Sequence, residues 1–317
     1  MKLLFIVLWC SLSPFLAFAK YNETEAILLA KMAETTYTLY PDKCFAALFA
    51  DNKDYEFVKL LSRPCDILGN YCRGIVAANR AEKQLYVAFM GTKLDAQLFI
   101  ESLLSISPTR RFGNLGLSND YFTDALEALW GDLLTVIMDK QFVNYNVTFT
   151  GHSLGAAITS LAALKTVYFG LKPSSSVRMI NFGQPRVGNH DLAHAMNRLV
   201  PESYRLIHTD DFVPHLIPCE FALNSTLSIN GTAVCKDENS PFSFHHGTEV
   251  WYPGDMTPNK SNYSICTGAP FGEDPSCSNL IQFNVFGDVS HYWKAHQHYF
   301  NHKINIPTIY TCKPWEF

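Results

Sequence analysis

Residues 145–168 read Tyr-Asn-Val-Thr-Phe-Thr-Gly-His-Ser-Leu-Gly-Ala-Ala-Ile-Thr-Ser-Leu-Ala-Ala-Leu-Lys-Thr-Val-Tyr. Val147 and Phe149 alternate in the first six residues, which predicts a strand. From Ala156 to Tyr168 the chain is rich in Ala and Leu and free of Pro and Gly, which predicts a helix. Between the two lies Gly151-His152-Ser153-Leu154-Gly155, a G-x-S-x-G turn. A strand-to-helix turn this tight has no room for side chains at its outer positions, so glycines occupy them. Ser153 is then forced into a strained, accessible position at the carboxyl end of the strand. The Leu154 N–H is aimed where an oxyanion would develop. Five residues of this pattern recur by chance; the strand before them and the helix after them make the signal specific.

Outward from this unit the pattern repeats. Residues 22–40 predict a helix with Ala26, Leu29, Ala30 and Ala33 on one face. Residues 71–80 and 84–90 predict a hairpin in which Leu85, Val87 and Phe89 alternate. Residues 120–140 predict a long helix with Leu126, Leu129, Leu133, Val136 and Ile137 apolar. A strand at 177–182, a helix at 189–199 and a strand at 203–208 follow. Alternating strands and helices imply a mostly parallel central sheet with helices on both faces and chemistry at the carboxyl strand ends. With a nucleophile elbow after a central strand, the expected class is α/β, the α/β-hydrolase fold. Neither repeats nor low-complexity linkers are present, so residues 20–317 are expected to form one domain.

Residues 1–19 have the features of a secretory signal peptide: Lys2, the apolar run Leu3–Leu8, Pro14, and Ala17-Phe18-Ala19 at the cleavage site. An uncleaved anchor is the competing reading, and the short apolar run argues against it. The remaining chain contains no uninterrupted apolar stretch long enough to span a bilayer. The composition is 48% hydrophobic and 14% aromatic, which is globular, and the net charge of −4 offers no basic patch for nucleic acid. Cys10 falls within residues 1–19, leaving eight of the nine cysteines. An even count in a secreted chain predicts disulfides. The economical pairing is Cys65/Cys72, Cys219/Cys235 and Cys266/Cys277, leaving Cys44 for Cys312. No C-x-x-C spacing supports zinc. Six N-x-S/T sequons, at Asn22, Asn146, Asn224, Asn230, Asn259 and Asn262, fit a secreted glycoprotein. Asn146 opens the strand before the elbow and is expected to be covered. Two sequons fall within Cys219–Cys235, expected to be an exposed insertion closed by its disulfide.

A serine hydroxyl is a weak nucleophile and needs a base, which in turn needs an orienting acid. In this fold they follow in the order Ser, acid, His. Asp210-Asp211 comes at once after the predicted strand 203–208. Four histidines follow near the end of the chain: His291, His296, His298 and His302. The residues alone do not choose between the two aspartates or among these histidines.

Five segments resemble the class 3 lipases, the family of the secreted fungal triacylglycerol lipases, and the secreted nematode members above all. Phe89-Met90-Gly91-Thr92 is similar to the family's F-R-G-[ST] strand. Gly151–Gly155 is its G-H-S-L-G, Gly183–Gly188 its G-Q-P-R-x-G, and Asp211–His215 its D-x-V-P-H. His296-Gln297-His298-Tyr299-Phe300-Asn301 resembles H-x-x-Y-F-G, with Asn301 for the glycine and Ala295 for a preceding aspartate. The likeness spans roughly residues 25–312 and implies a catalytic triad of Ser153, Asp211 and His296, with Thr92 and Leu154 as oxyanion donors. Asp210 is then structural, His152 packs, His215 braces the acid loop, and His245-His246 lie in a surface loop. The family's arginine after Phe is Met90 here, a change expected to loosen the oxyanion strand without removing Thr92. Ala156, where many relatives have a second glycine, is expected to be harmless.

The implied chemistry is acyl transfer. His296 takes the Ser153 proton, Asp211 fixes the imidazole, the oxyanion donors each contribute about 2.7–4 kcal/mol, and water releases the acyl group. Neither a metal nor an organic cofactor is needed. Residues 93–111 fall where the family carries a lid. Ala96, Phe99, Ile100, Leu103 and Leu104 share a wide helical face, so Leu98, Phe99 and Leu103 are candidates for lid contacts with lipid. An ordinary helix packed on the core is the competing reading. The expected protein is a secreted, extracellular monomer acting on lipid esters, possessing neither a nucleic-acid partner nor a transmembrane span. A phospholipase, a soluble-ester esterase and an acyltransferase would use the same groups. A catalytically silent binding protein on the same scaffold is the alternative of a different class, and the complete set of catalytic residue types argues against it.

Overall fold

The computed structural model describes residues 20–65, 71–91, 103–104, 106–222, 234–238, 240–284, 288–304 and 312. Fourteen strands and seven helices are used below, numbered in chain order. The strands are β1 Tyr55–Pro64, β2 Tyr71–Asn79, β3 Gln84–Phe89, β4 Pro108–Arg111, β5 Leu117–Asn119, β6 Asn146–His152, β7 Val177–Phe182, β8 Gly188–Asn189, β9 Ser203–His208, β10 Ser243–Phe244, β11 Thr248–Tyr252, β12 Ser264–Cys266, β13 His298–Tyr299 and β14 His302–Lys303. The helices are α1 Glu23–Thr35, α2 Pro41–Leu48, α3 Asp120–Ile137, α4 Leu154–Tyr168, α5 His190–Leu199, α6 Val213–Leu216 and α7 Ser290–Gln297.

Eight strands form the main sheet in the order β1-β2-β3-β6-β7-β9-β11-β12. The five from β3 to β11 run parallel, while β1, β2 and β12 are antiparallel at the edges. This is the α/β-hydrolase arrangement anticipated above. The hairpin β2–β3 and the strands β7 and β9 fall where the sequence pattern puts them. Edge strand β1 and helix α2, which opens on Pro41, carry no periodic signal strong enough to be read in advance.

The inner strands β2, β3, β6, β7 and β9 are buried on both faces, whereas the edge strands β1 and β12 are largely exposed or half-buried. In β3, Leu85, Val87 and Phe89 join one core with α3 and α4, while Tyr86 and Ala88 join the other with α1. Helix α1 is capped by the Asn22 side chain, which accepts from Glu25 N–H, and its face of Ala26, Leu29, Ala30 and Ala33 is buried. Asn119 caps α3 in the same way, accepting from Tyr121 N–H and Phe122 N–H. Leu126, Leu129 and Leu133 of α3 are fully buried, each stabilising the fold by roughly 1.5–3 kcal/mol. Helix α4 is apolar nearly all round because it lies between the sheet and α3.

All four disulfides follow the economical pairing: Cys44–Cys312, Cys65–Cys72, Cys219–Cys235 and Cys266–Cys277. Among the described residues, no helix is long and apolar enough to cross a membrane. Asn146 is exposed at the start of β6, not covered as expected, because the first residue of a strand stands clear of the helices packed over its middle. Asn22, Asn259 and Asn262 are also exposed, and Asn224 and Asn230 lie outside the described residues.

Candidate active site

The elbow forms as the glycine pattern requires. Ser153 sits between β6 and α4 at φ 60°, ψ −131°, a conformation that costs a residue with a side chain roughly 1–3 kcal/mol. A Cβ on Gly151 would lie 2.5 Å from the Gly155 carbonyl, and one on Gly155 would run into the Phe89 carbonyl oxygen. The Ser153 N–H donates to the Phe182 carbonyl at 2.9 Å, fastening the turn to β7. Ser153 Oγ is buried and makes no hydrogen bond with any described residue. Leu154 is the first residue of α4, so its N–H has no carbonyl one turn back to bond and faces the positive end of the helix dipole.

A loop after β9 and the last turn of α7 bring an acid and a base together. Asp211 follows β9, and the loop carrying it is pinned where Thr209 N–H donates to the Tyr252 carbonyl at 2.7 Å and the Trp251 indole donates to the Thr209 carbonyl at 2.9 Å. His296 lies in the last turn of α7. His296 Nδ1 is 3.0 Å from both Asp211 carboxylate oxygens. The Tyr299 hydroxyl donates to Oδ2 at 2.6 Å, and the Val213 N–H donates to Oδ1 at 3.0 Å. Asp211 and His296 are both fully buried. Burial alone would raise the Asp211 carboxyl, but His296, Tyr299 and Val213 reverse that and hold it below the usual carboxylate range. Burial and the adjacent Asp211 push the Tyr299 phenol well above its ordinary value, so it remains a donor.

Gly183, at the end of β7, has φ +55°, and a Cβ there would fall 2.7 Å from Asp211 Oδ2 and from His296 Nδ1. Only glycine lets the backbone pass this close to the pair. The other candidates are elsewhere. Asp210 faces His291 at 3.5 Å on the surface, His298 Nδ1 is bonded to the Lys294 carbonyl, and His302 pairs with Glu34. Thr92, Leu98 and Phe99 lie outside the described residues. Leu103 is buried in the main core, whereas Leu104 is about half exposed.

His152 does more than pack. Its Nε2 is 2.7 Å from the His296 carbonyl oxygen, so Nε2 carries the proton and Nδ1 accepts from the Tyr37 hydroxyl at 2.8 Å. Burial and the neighbouring His296 lower its pKa to about 3, which keeps the ring neutral. The chain Tyr37–His152–His296 ties the turn after α1, the elbow and α7 together. The sequence signal for it was the histidine beside the serine; its partners are 115 and 144 residues away.

His245 and His246 are not in a surface loop: both are about 1% exposed. They border a buried charge cluster that the sequence reading missed. Arg186 of the G-Q-P-R segment donates through Nε and Nη2 to the two Glu273 oxygens, 2.7 Å each, and through Nη1 to the Ile217 carbonyl at 2.8 Å. Arg205 donates to the His246 and Gly272 carbonyls and lies 3.6 Å from Glu249. Burial and the Arg205 charge lower His246 to about 3 and push His245 well below its ordinary value. His215, in α6, stacks on Phe283 with ring centroids 5.0 Å apart beside the acid loop. Met90 is half-buried against the α1-side core, an apolar residue on an apolar wall. Asn301 stands at φ 58°, where asparagine is the side chain best able to replace glycine.

A cleft of about 980 Å³ runs along α1 and the turn at Thr257–Lys260, and Ser153, Asp211 and His296 do not line it.

Known proteins resemble this chain in sequence and in fold. The family model of the class 3 lipases matches residues 86–221. A lipase of Caenorhabditis elegans, ZK262.3, is 35% identical over 291 residues, covering 91% of this chain and 81% of its own. The lipase of Rhizomucor miehei is 28% identical over 217 residues, covering 65% of this chain and 51% of its own, so the chain matches about half the length of that relative. A solved structure in which a serine-protease-type triad forms the catalytic centre of a triacylglycerol lipase shares the fold, with a TM-score of 0.65 and 23% identity over 89% of this chain and 95% of that one. By sequence, fold and the residues gathered at the elbow, this chain belongs to the class 3 lipase family and is a carboxylic ester hydrolase with the α/β-hydrolase fold.

Proposed function

We propose that Ser153, His296 and Asp211 are the catalytic triad of a secreted acylglycerol lipase, with Leu154 N–H and Thr92 as oxyanion donors. The observation that carries this reading is the His296 Nδ1–Asp211 pair at 3.0 Å, fully buried and closed over Gly183, the residue after Phe182, whose carbonyl accepts from the elbow Ser153 N–H. Asp211 holds the proton on Nδ1, leaving Nε2 as the base for the Ser153 proton. The alkoxide attacks the ester carbonyl, and the tetrahedral oxyanion sits at the amino end of α4. Collapse expels the alcohol, which takes its proton from His296, and water repeats the sequence to release the fatty acid. Acylglycerol as the substrate is supported by the family and by the triacylglycerol lipase that shares the fold.

Residues 1–19 act as a cleaved signal peptide and residues 20–317 form one catalytic domain, monomeric in solution. The four disulfides and the exposed sequons support an extracellular setting. We also propose that the lid expected at residues 93–111, most of which lie outside the described residues, responds to a lipid surface. Ser153→Ala should abolish hydrolysis and fluorophosphonate labelling while leaving the circular dichroism spectrum intact; full residual activity would overturn the assignment. Hydrolysis of triolein, phosphatidylcholine and p-nitrophenyl esters of graded length decides the substrate class. A rate that rises abruptly at the solubility limit of a short triglyceride supports interfacial action, and smooth saturation through that limit refutes it.

A further inference from the structure

We infer that His190, His194 and Asp237 form a binding site for a zinc-type divalent cation, separate from the catalytic cluster. His190 and His194 are four residues apart on α5, so their side chains project from one face of the helix. Their rings lie 4.1 Å apart, with Phe244 packed against both. Both Nε2 atoms turn toward the same carboxylate oxygen: Asp237 Oδ1 is 2.9 Å from His190 Nε2 and 3.4 Å from His194 Nε2. The three ligand atoms all lie within 4.8 Å of one another. A tetrahedral ion with bonds of about 2.0–2.2 Å needs its ligand atoms roughly 3.3–3.5 Å apart. The His194–Asp237 pair at 3.4 Å already has that spacing, and a small shift of the half-exposed Asp237 carboxylate opens the 2.9 Å contact with His190 to match it. Water completes the fourth position.

The setting is built rather than incidental. His190 is the first residue of α5, capped by Asn189, and its side chain is only 12% exposed. Strand β8 immediately before it pairs with β10, which carries Phe244. Asp237 lies two residues past Cys235 and so is anchored by the Cys219–Cys235 disulfide. The nearby Lys236 is engaged by Glu220 and Glu238 and does not compete for Asp237. Two imidazoles and one carboxylate select a first-row transition cation; calcium and magnesium prefer oxygen-only sites. A bound ion would clamp residues 234–238, the far side of the disulfide-closed insertion, onto α5. Neither the triad nor the reaction requires it.

The test is calorimetric titration of the chelator-treated, tag-free full chain with zinc chloride, alongside thermal unfolding. Wild type should bind one zinc at this site and, in zinc at a hundredfold excess over Kd, melt a few degrees higher. His194→Ala and Asp237→Asn should each weaken that binding by about tenfold or more, since even outer-shell losses have that effect, and should abolish the thermal shift. Both variants should keep wild-type esterase activity and melting temperature in the absence of zinc. Absence of zinc binding to wild type at millimolar zinc, or unchanged binding and thermal shift in both variants, would overturn the inference.

Discussion

Asp211→Asn isolates the acid of the proposed triad with almost no change in volume. In the reaction His296 becomes an imidazolium whose Nδ1 lies 3.0 Å from the carboxylate. At an effective dielectric constant of about 20, opposite unit charges at that separation attract by about 5–6 kcal/mol, which corresponds to about 10⁴ in rate. The amide has a second effect: its NH₂ can donate to Nδ1 and move the imidazole proton to Nε2, where it blocks the base. We therefore expect kcat/KM to fall by about 10⁴ for p-nitrophenyl butyrate at pH 8. Asp210→Asn alters a surface contact to His291 and keeps an oxygen for the Thr209 hydroxyl, a change worth at most about 1 kcal/mol to stability. It should stay within about twofold of wild type. Tyr299→Phe keeps the carboxylate and deletes one donor to it, and it should fall between the two. Near-wild-type activity in Asp211→Asn with its fold intact, or an equal loss in Asp210→Asn, would refute the reasoning. Stability offers an independent reading. The Asp211 pKa is lowered in the folded protein, so its carboxylate stabilises the fold above the ordinary aspartate range, near pH 4 and upward. That contribution is lost as pH falls through the lowered value. Urea midpoints of wild type and Asp211→Asn should therefore differ most at pH 7 and converge in acid.

Three further experiments probe the scaffold. Gly183→Ala adds a methyl 2.7 Å from both Asp211 and His296 at a positive φ; kcat should drop by about tenfold or more with little change in KM, since a 1 Å misplacement can cost 10². Arg186→Met leaves Glu273 charged and buried without its partner, a loss of about 3–5 kcal/mol, read as a fall in melting temperature of about 10 °C; Arg186→Met/Glu273→Leu should recover much of it. Opening the Cys44–Cys312 link, which spans 268 residues, by the double serine variant should cost up to about 5 kcal/mol of chain-entropy stabilisation, measured as a lower denaturation midpoint at unchanged kcat.

What the sequence made legible was local. The elbow is a contiguous strand–turn–helix unit, and its glycines are dictated by contacts within a few residues of Ser153, with the Phe89 carbonyl added from the neighbouring strand. The strand at 203–208 pointed to the acid loop but not to the acid. Asp210 and Asp211 are adjacent, yet one faces solvent and the other is fully buried, a difference made by the turn at Thr209, φ 43°. The same limit explains the misreading of His245-His246. Two polar residues in a stretch without periodicity resemble a surface loop until Arg205 and Glu273 come to meet them, and those partners lie 41 and 28 residues away. Arg186 and Glu273 are 87 residues apart, and neither signals the other, because a buried ion pair leaves no mark on hydropathy except two charges that ought to be outside. Asn301 shows the converse. It breaks the family pattern in the sequence, yet at φ 58° it satisfies the backbone requirement that glycine would have met. Motif letters thus report a physical demand at one position. Whether a departure matters is decided by the demand, which is why Asn301 leaves its turn intact.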